Sequence, residues 1–164
     1  MLNTLINAWK IPDLRKKMIF TLLMLFVFRL GSFIPVPNMN TEALKQLIQT
    51  GGFIGFFDVI SGGAFENFAI FAMSISPYIN AQIIMQLLTI AIPSLEALAK
   101  EGEEGRRKLA QYQRYFTVIL ALIQALALSW GLRHYLYSSD AISIILVALS
   151  LTAGTAFLMW LGEL

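Results

Sequence analysis

The chain has 164 residues, of which 57% are hydrophobic and 13% charged, and its formal net charge is +2. This composition excludes an ordinary soluble domain, and so small a net charge does not indicate direct nucleic-acid readout. The sequence has no cysteine and a single histidine, His134, which excludes thiol catalysis, zinc–thiolate sites and a His-rich metal centre. It also contains no H-E-x-x-H or G-x-S-x-G motif. We therefore expect a membrane protein that is not an enzyme and has no cofactor or metal site.

The first two predicted elements are a surface segment and a membrane span. Residues 1–17 carry apolar residues at helical spacing followed by basic ones, which predicts an amphipathic helix on the cytoplasmic membrane surface, with an unstructured tail as the alternative. Residues 18–37 are predicted as the first transmembrane helix, TM1. An arginine deep in such a helix costs about 2.5–3.5 kcal/mol on insertion scales. Arg29 is therefore expected either to reach outward to the interface or to face the protein interior.

The next stretch reads as a membrane segment broken in two. Residues 38–54 are predicted as an external loop. Residues 51–66 are apolar but contain Asp58 and several glycines, so they are predicted to enter and leave the membrane on the outer side. The uncharged run that follows predicts a second span, TM2b, over 68–93, with a kink at Pro77. Broken segments are tolerated only where protein or a water-filled cavity surrounds them, so the chain is predicted to line a path through a membrane.

The remaining sequence alternates polar connections with apolar spans. Its predicted elements are a cytoplasmic loop (94–114), the third span TM3 (115–132), an external turn (133–140) and the fourth span TM4 (141–162). Lys and Arg number four in the N-terminal segment and five in the 94–114 loop, against one in each external connection. This asymmetry places the N-terminus and the 94–114 loop in the cytoplasm.

Several residues in the spans have two readings on pattern alone. Ile75 and Ile79 share one helix face, and lipid contact or helix packing is the simpler explanation of that spacing. Four amides either hydrogen-bond between helices or line a wet surface: Asn80, Gln82, Gln86 and Gln124. Residues 101–108 combine acids, glycines and basic residues but lack the G-K-[ST] end of a phosphate loop. On physics alone they are a solvated turn.

Six strings of residues, in order along the chain, resemble the N-terminal part of the SecY family, the channel subunits of the Sec protein translocon. They are FRLGSFIPVP (28–37), SGGA (61–64), SPYI (76–79), QLLT (86–89), KEGEEGRRK (100–108) with QY (111–112), and FLMWLGE (157–163). The form looks bacterial or plastid. The resemblance implies an all-α polytopic membrane protein with four transmembrane helices and a re-entrant plug. These elements form part of the N-terminal half of a clamshell around an hourglass pore.

The resemblance also assigns roles to individual residues. The segment 55–67 corresponds to the plug, a short helix that seals the closed pore from outside, and Ile75 and Ile79 to this half's share of the pore ring. The lateral gate is expected to include Asn80, Ile83 and Gln124. The predicted plug residues are Phe57, Asp58, Val59, Ile60, Ser61, Gly62, Gly63, Ala64 and Phe65.

The implied activity is passage of unfolded secretory proteins across the cytoplasmic membrane and insertion of membrane proteins into it. The implied partners are the remaining half of SecY, the SecE and SecG subunits, the SecA motor ATPase, the ribosome, signal peptides, unfolded precursors and the lipid bilayer. Since family members continue through further helices, the chain is expected to be an N-terminal fragment, truncated after 164. A secondary transporter with a broken helix and a membrane scaffold without transport are the alternatives. Against the transporter, the central parts of the last three spans contain no carboxylate or histidine that could couple transport to protons.

Overall fold

The computed structural model of the protein describes residues 11–49, 53–138 and 140–164. Over these ranges the chain is helical, apart from turns and two isolated β-bridges, so the predicted all-α class is confirmed. The helices are α1 (Pro12–Gly31), α2 (Thr41–Gln49), α3 (Phe53–Ser61), α4 (Ser76–Ala91), α5 (Pro93–Lys100), α6 (Glu103–Gly131), a 3₁₀ turn (Arg133–Tyr135) and α7 (Ala141–Glu163).

Two of these helices, α6 and α7, are long and apolar enough to cross a membrane. They contain 29 and 23 residues, which at a rise of about 1.5 Å per residue exceeds a hydrocarbon core of about 30 Å. Helices α4 and α5 meet at 99° and qualify as a third span only as a bent pair. Helix α1 carries basic residues near both ends and does not qualify. The described chain thus has two or three candidate spans, and the count of four stays a prediction.

Helix α1 differs from the predicted first span at both ends. It begins at Pro12, inside the segment predicted to lie on the membrane surface, since a proline in the first turn lacks only an N–H that has no intrahelical partner. The first ten residues of that predicted segment lie outside the described part of the chain. The helix ends at Gly31, and both the backbone N–H and the Oγ of Ser32 donate to the carbonyl oxygen of Phe28, each over 3.0 Å. The chain beyond it is not helical.

Helix α4 begins at Ser76, eight residues after the predicted start of TM2b, and the kink predicted at Pro77 is wrong. Pro77 lies in the first turn of α4, where it interrupts no hydrogen bond. The bend lies instead at Ile92, which has extended backbone angles (φ −108°, ψ 113°). It precedes Pro93, and a residue before proline is pushed out of the helical region by the proline ring.

The segment 62–75 is a run of mostly buried turns between α3 and α4, with Gly62 and Ile75 exposed at its two ends. The Val36 N–H donates to the carbonyl of Phe68 over 2.9 Å, and the Ile70 N–H donates to the carbonyl of Ile34 over 3.0 Å. These bonds pair the turns with the extended chain after α1. Non-helical backbone in a membrane protein needs such internal partners, so the pairing explains how a coil segment fits between membrane helices.

The main hydrophobic core lies where this paired segment meets α6 and α7. A second pairing, between Asn38–Asn40 and Tyr135–Tyr137, brings the 3₁₀ turn onto the extended chain. The buried side chains of the core include Val36, Met39, Leu44, Phe65, Phe68, Ala125, Leu136, Ile144, Val147 and Leu151. Burial of these side chains fixes the start of α4 and the end of α3 against the long helices.

An aromatic stack fastens α1 and α7 to opposite sides of Phe71. The ring centroid of Phe71 lies 5.7 Å from that of Phe28 and 5.9 Å from that of Phe157, both in stacked geometry. Two glycines make room for this arrangement, because a Cβ at Gly31 would overlap the Phe71 ring and one at Gly154 would overlap the carbonyl oxygen of Ile70.

The contact at Gly154 gives a stability prediction. Gly154→Ala is expected to destabilise the full-length protein by about 1–3 kcal/mol, the usual range for overpacking, because the obstacle is backbone that cannot rotate away. A thermal melt in detergent should therefore show a lower midpoint. Gly162→Ala is the matched control in the same helix, since nothing beyond its chain neighbours and its own helix backbone lies within 4 Å of the added Cβ. Equal melting of the two variants would contradict this account of the packing.

Candidate functional site

Helix α3 holds the first part of the predicted plug and presents an apolar face to its surroundings. Its nine residues extend about 13 Å, less than half the thickness of a bilayer core. Phe56, Val59 and Ile60 are 62%, 78% and 53% exposed. Phe57 belongs to the helix, but its side chain lies outside the described part of the structure.

The C-terminal end of α3 is closed by glycines and by its own polar side chains. Gly62 and Gly63 have φ values of 65° and 81°, a left-handed region that glycine enters without strain. Asp58 accepts the N–H of Gly63 on its carbonyl (3.0 Å) and the N–H of Glu66 on Oδ1 (2.7 Å). Ser61 Oγ accepts the N–H of Phe65 over 3.1 Å. Asp58, which argued against a membrane span, thus folds the chain back on itself.

The predicted plug residues differ in exposure. Val59 and Ile60 on α3 are exposed, whereas Ser61, Ala64 and Phe65 are buried in the fold. The exposed part of the predicted plug is therefore directly followed by a part that is buried in the fold.

Arg29 reaches the end of α3 from the last turn of α1. Its Nη1 donates to the carbonyl oxygen of Gly62 over 2.9 Å, and its guanidinium carbon lies 4.8 Å from the ring centroid of Phe33. The sequence left two alternatives for Arg29, the membrane interface and the protein interior. The contact that the structure describes is with the protein. The pair is 33 residues apart, and no periodicity in the sequence links two such positions.

The predicted pore residues lie on an exposed ridge of α4. Ile75, Ile79 and Ile83, which we call the isoleucine ridge, are 46%, 44% and 51% exposed and follow one another at a spacing of four residues. The N–H of Ile79 donates to the carbonyl of Ile75 over 3.1 Å, which fixes the first two one turn apart. Ala81 and Met85 on the other face are buried, where α4 packs against α6.

The three predicted gate residues lie on two helices. Asn80 and Ile83 are exposed on α4, while Gln124 is half-buried on α6. Gln124 lines an apolar cleft of about 290 Å³ with residues from the end of α3 and the start of α4, and Asn80 is not among the lining residues. Sequence reasoning missed this proximity of Gln124 to the end of α3.

The predicted 94–114 loop is mostly helical, since it contains α5 and the first turns of α6. Gly102 turns the chain with a φ of 83°, and a Cβ at Gly105 would overlap the carbonyl oxygen of Leu98. Arg114 Nη2 forms an ion pair of 2.7 Å with Glu163 Oε2, which joins α6 to the end of α7. Among the residues that the structure describes, no three His, Asp or Glu side chains are grouped to hold a metal ion.

The sequence is similar to a family of known proteins. A family model described as SecY matches residues 69–164. A protein named Protein translocase subunit SecY from Halalkalibacterium halodurans is 54% identical across 99% of this chain and 39% of its own length. Proteins of the same name from Bacillus subtilis and Thermotoga maritima are 50% and 44% identical, across 99% and 96% of this chain and 39% of their own lengths. The chain thus spans about two fifths of the length of these relatives.

Proposed function

The chain belongs to the SecY family, and on that basis we propose that it forms part of the pore subunit of a protein-conducting channel. The observation that carries the proposal is a cleft that the end of α3 shares with the residues on both sides of Ile75. Ile60 of α3 lines the same cleft as Ser74 and Ser76, the two neighbours of Ile75. The end of a short apolar helix and the backbone on both sides of Ile75 thus border one cleft, which supports a plug close to a pore ring.

The isoleucine ridge has the chemistry of a constriction for a moving polypeptide. Branched apolar side chains offer no hydrogen bonds to a passing chain, and a narrow ring of them excludes water and ions by dewetting. One helix supplies only an arc of such a ring. We propose that Ile75 and Ile79 complete it together with the remaining half of the channel.

We propose that residues 57–65 act as the plug. Its exposed apolar side chains, such as Val59 and Ile60, cover the ring in the closed state, and a helix of nine residues can leave without unfolding the long helices. The charge of Asp58 and the glycines that follow limit how firmly the segment is buried.

We propose that Asn80, Ile83 and Gln124 contribute to a lateral gate between α4, α6 and the other half of the channel. Interhelical hydrogen bonds of amides in membranes are worth about 0.6–2 kcal/mol each. A signal peptide can compete with bonds of that size and open a path into the lipid bilayer.

The proposed setting is the cytoplasmic membrane, with the N-terminus in the cytoplasm. SecE and SecG are the proposed companion subunits. The SecA ATPase or the ribosome delivers unfolded precursors, and energy comes from these partners or from the membrane potential rather than from chemistry in this chain. A secondary transporter is not favoured, because the matched relatives are named protein translocase subunits.

Depletion of the full-length protein from cells separates the channel from a transporter. We expect secretory precursors to accumulate in the cytoplasm with their signal peptides uncleaved, and re-expression of the full-length protein to restore processing. Uptake of small solutes, measured before growth slows, serves as the control. Normal precursor processing together with a loss of solute uptake would contradict the proposal.

A further inference from the structure

We propose that Arg29 is a positioning residue that holds the plug in its closed place, and that release of the Arg29–Gly62 contact is a step in opening. This inference rests on the proposed function of residues 57–65 as a plug. We call the hydrogen bond between Arg29 Nη1 and the Gly62 carbonyl, 2.9 Å long, the Arg29–Gly62 latch.

The latch joins a cation to the negative end of a helix. Gly62 directly follows the last residue of α3, where carbonyl groups lack intrahelical partners and the helix dipole is negative. A guanidinium has five donors and no acceptor, so it is well matched to such carbonyls. Hydrogen bonds with one charged partner are about twice as strong as neutral ones.

The surroundings of Arg29 strengthen the case for a specific contact. Arg29 interrupts an apolar stretch of α1 that is predicted to span the membrane, where a guanidinium needs a protein partner or access to water. The ring of Phe33 lies beneath it at 4.8 Å and restricts its orientation. A side chain added at Gly62 would begin 3.9 Å from Phe28 Cε1, so the end of α3 also lies close to the body of α1.

The other side-chain bonds of the plug segment are local. Asp58 binds Glu66, Ser61 binds Asp58 and Phe65, and Asn67 binds Gly63, all within eight residues along the chain. These local bonds preserve the shape of the turn after α3 whether or not α3 moves. Of the side-chain hydrogen bonds described for residues 58–67, the latch is the one that comes from another helix. Breaking it removes this side-chain bond between α1 and the end of α3, while the turn and the packing of Phe28 against the cluster that contains Ala64 remain.

Arg29→Met in the full-length channel, reconstituted into planar bilayers, tests the latch. The substitution keeps an unbranched side chain but removes every donor. Loss of one hydrogen bond to a charged group corresponds to a change of about tenfold to a hundredfold in an equilibrium constant, so we expect resting conductance to rise by a factor in that range. Arg29→Lys keeps a charged donor and is expected to restore most of the seal.

A second readout reports the plug directly. A cysteine at Val59, which is 78% exposed on α3, is labelled with a membrane-impermeant maleimide from outside in a full-length protein free of other cysteines. Arg29→Met is expected to speed labelling. If that variant does not reach the membrane, the Arg29→Lys variant carries the test, with a smaller rise expected in both readouts.

Two controls separate the failure of the latch from the failure of the proposed function. Arg114→Met removes another arginine, the one paired with Glu163, and should leave conductance unchanged. Deletion of residues 53–61 should open the pore whatever Arg29 does. If that deletion leaks while Arg29→Met leaves conductance and labelling unchanged, the latch is wrong and the plug stands. If Arg114→Met leaks equally, the effect is one of lost charge and the latch is again wrong. If the deletion itself does not leak, the proposed function fails.

Discussion

Full-length channels that lack residues 53–61 are expected to conduct ions at rest. Helix α3 has an exposed apolar face, and its last residues line the same cleft as the two neighbours of Ile75, so we expect its removal to leave the proposed ring without its outer seal. If the unplugged state is a minor conformer of about 0.1–10% in the intact protein, resting conductance should rise by about tenfold to a thousandfold. Single-channel recording of reconstituted protein measures this directly.

The matched control for that deletion is Val59→Ile, which keeps both the helix and its apolar surface. Conductance of this variant should equal that of the unmodified channel. A deletion variant that inserts normally, supports precursor export and still does not leak would show that α3 is no seal.

The second large effect is expected from the isoleucine ridge. Ile79→Asn places an amide where branched carbons face the open side of α4, and the amide attracts water and offers hydrogen bonds to a passing chain. We expect ion leakage, and export of precursors with defective signal sequences should rise about tenfold, the ratio that a gain of about 1.4 kcal/mol for the open state produces. Ile75→Asn should act in the same direction.

Leu149→Asn is the control for the ridge substitutions. Leu149 is 55% exposed on α7, comparable to Ile79, but it lies on a helix to which no pore role is assigned. Leu149→Asn should leave ion conductance and the selection of signal sequences unchanged. Equal effects at Leu149 and Ile79 would mean that any amide in these helices disturbs the membrane, and the ridge would lose its special role.

The features predicted best from sequence were those that depend on composition and on local chemistry. Long uncharged runs gave the helical class and the two clear spans, because apolar length is what a bilayer selects. Asp58 and its neighbouring glycines indicated a break in the helix, and the structure shows Asp58 accepting bonds from the turn that follows α3.

The features that sequence reasoning missed depend on contacts between distant residues. Residues 68–75 were predicted as the start of TM2b, but their backbone instead forms short turns and pairs with residues 34–36. Helix α4 therefore begins only at Ser76, and Pro77 lies in its first turn, where it produces no kink. The bend at Ile92 follows from Pro93, because a residue before proline is disfavoured in the helical region. The span prediction did not take this local rule into account.

The candidate site shows the same division. Ile75 and Ile79 share a face by simple spacing, and the structure places both on one exposed ridge. The partner of Arg29 and the position of Gln124 beside the end of α3 are long-range facts. No periodicity encodes them, so only the folded chain could reveal either one.

A disulfide test at Ile79 shows whether the isoleucine ridge lines the translocation path. The 164 residues contain no cysteine, so one can be placed at Ile79 of the full-length protein, with a second in a secretory precursor arrested during export. If Ile79 lines the path, we expect a disulfide that forms only while the precursor is engaged, and none from a cysteine at Leu149. If protease protection shows the precursor engaged, yet no disulfide forms at Ile79 or at Ile75, the isoleucine ridge does not line the translocation path and the channel mechanism proposed for this chain is wrong.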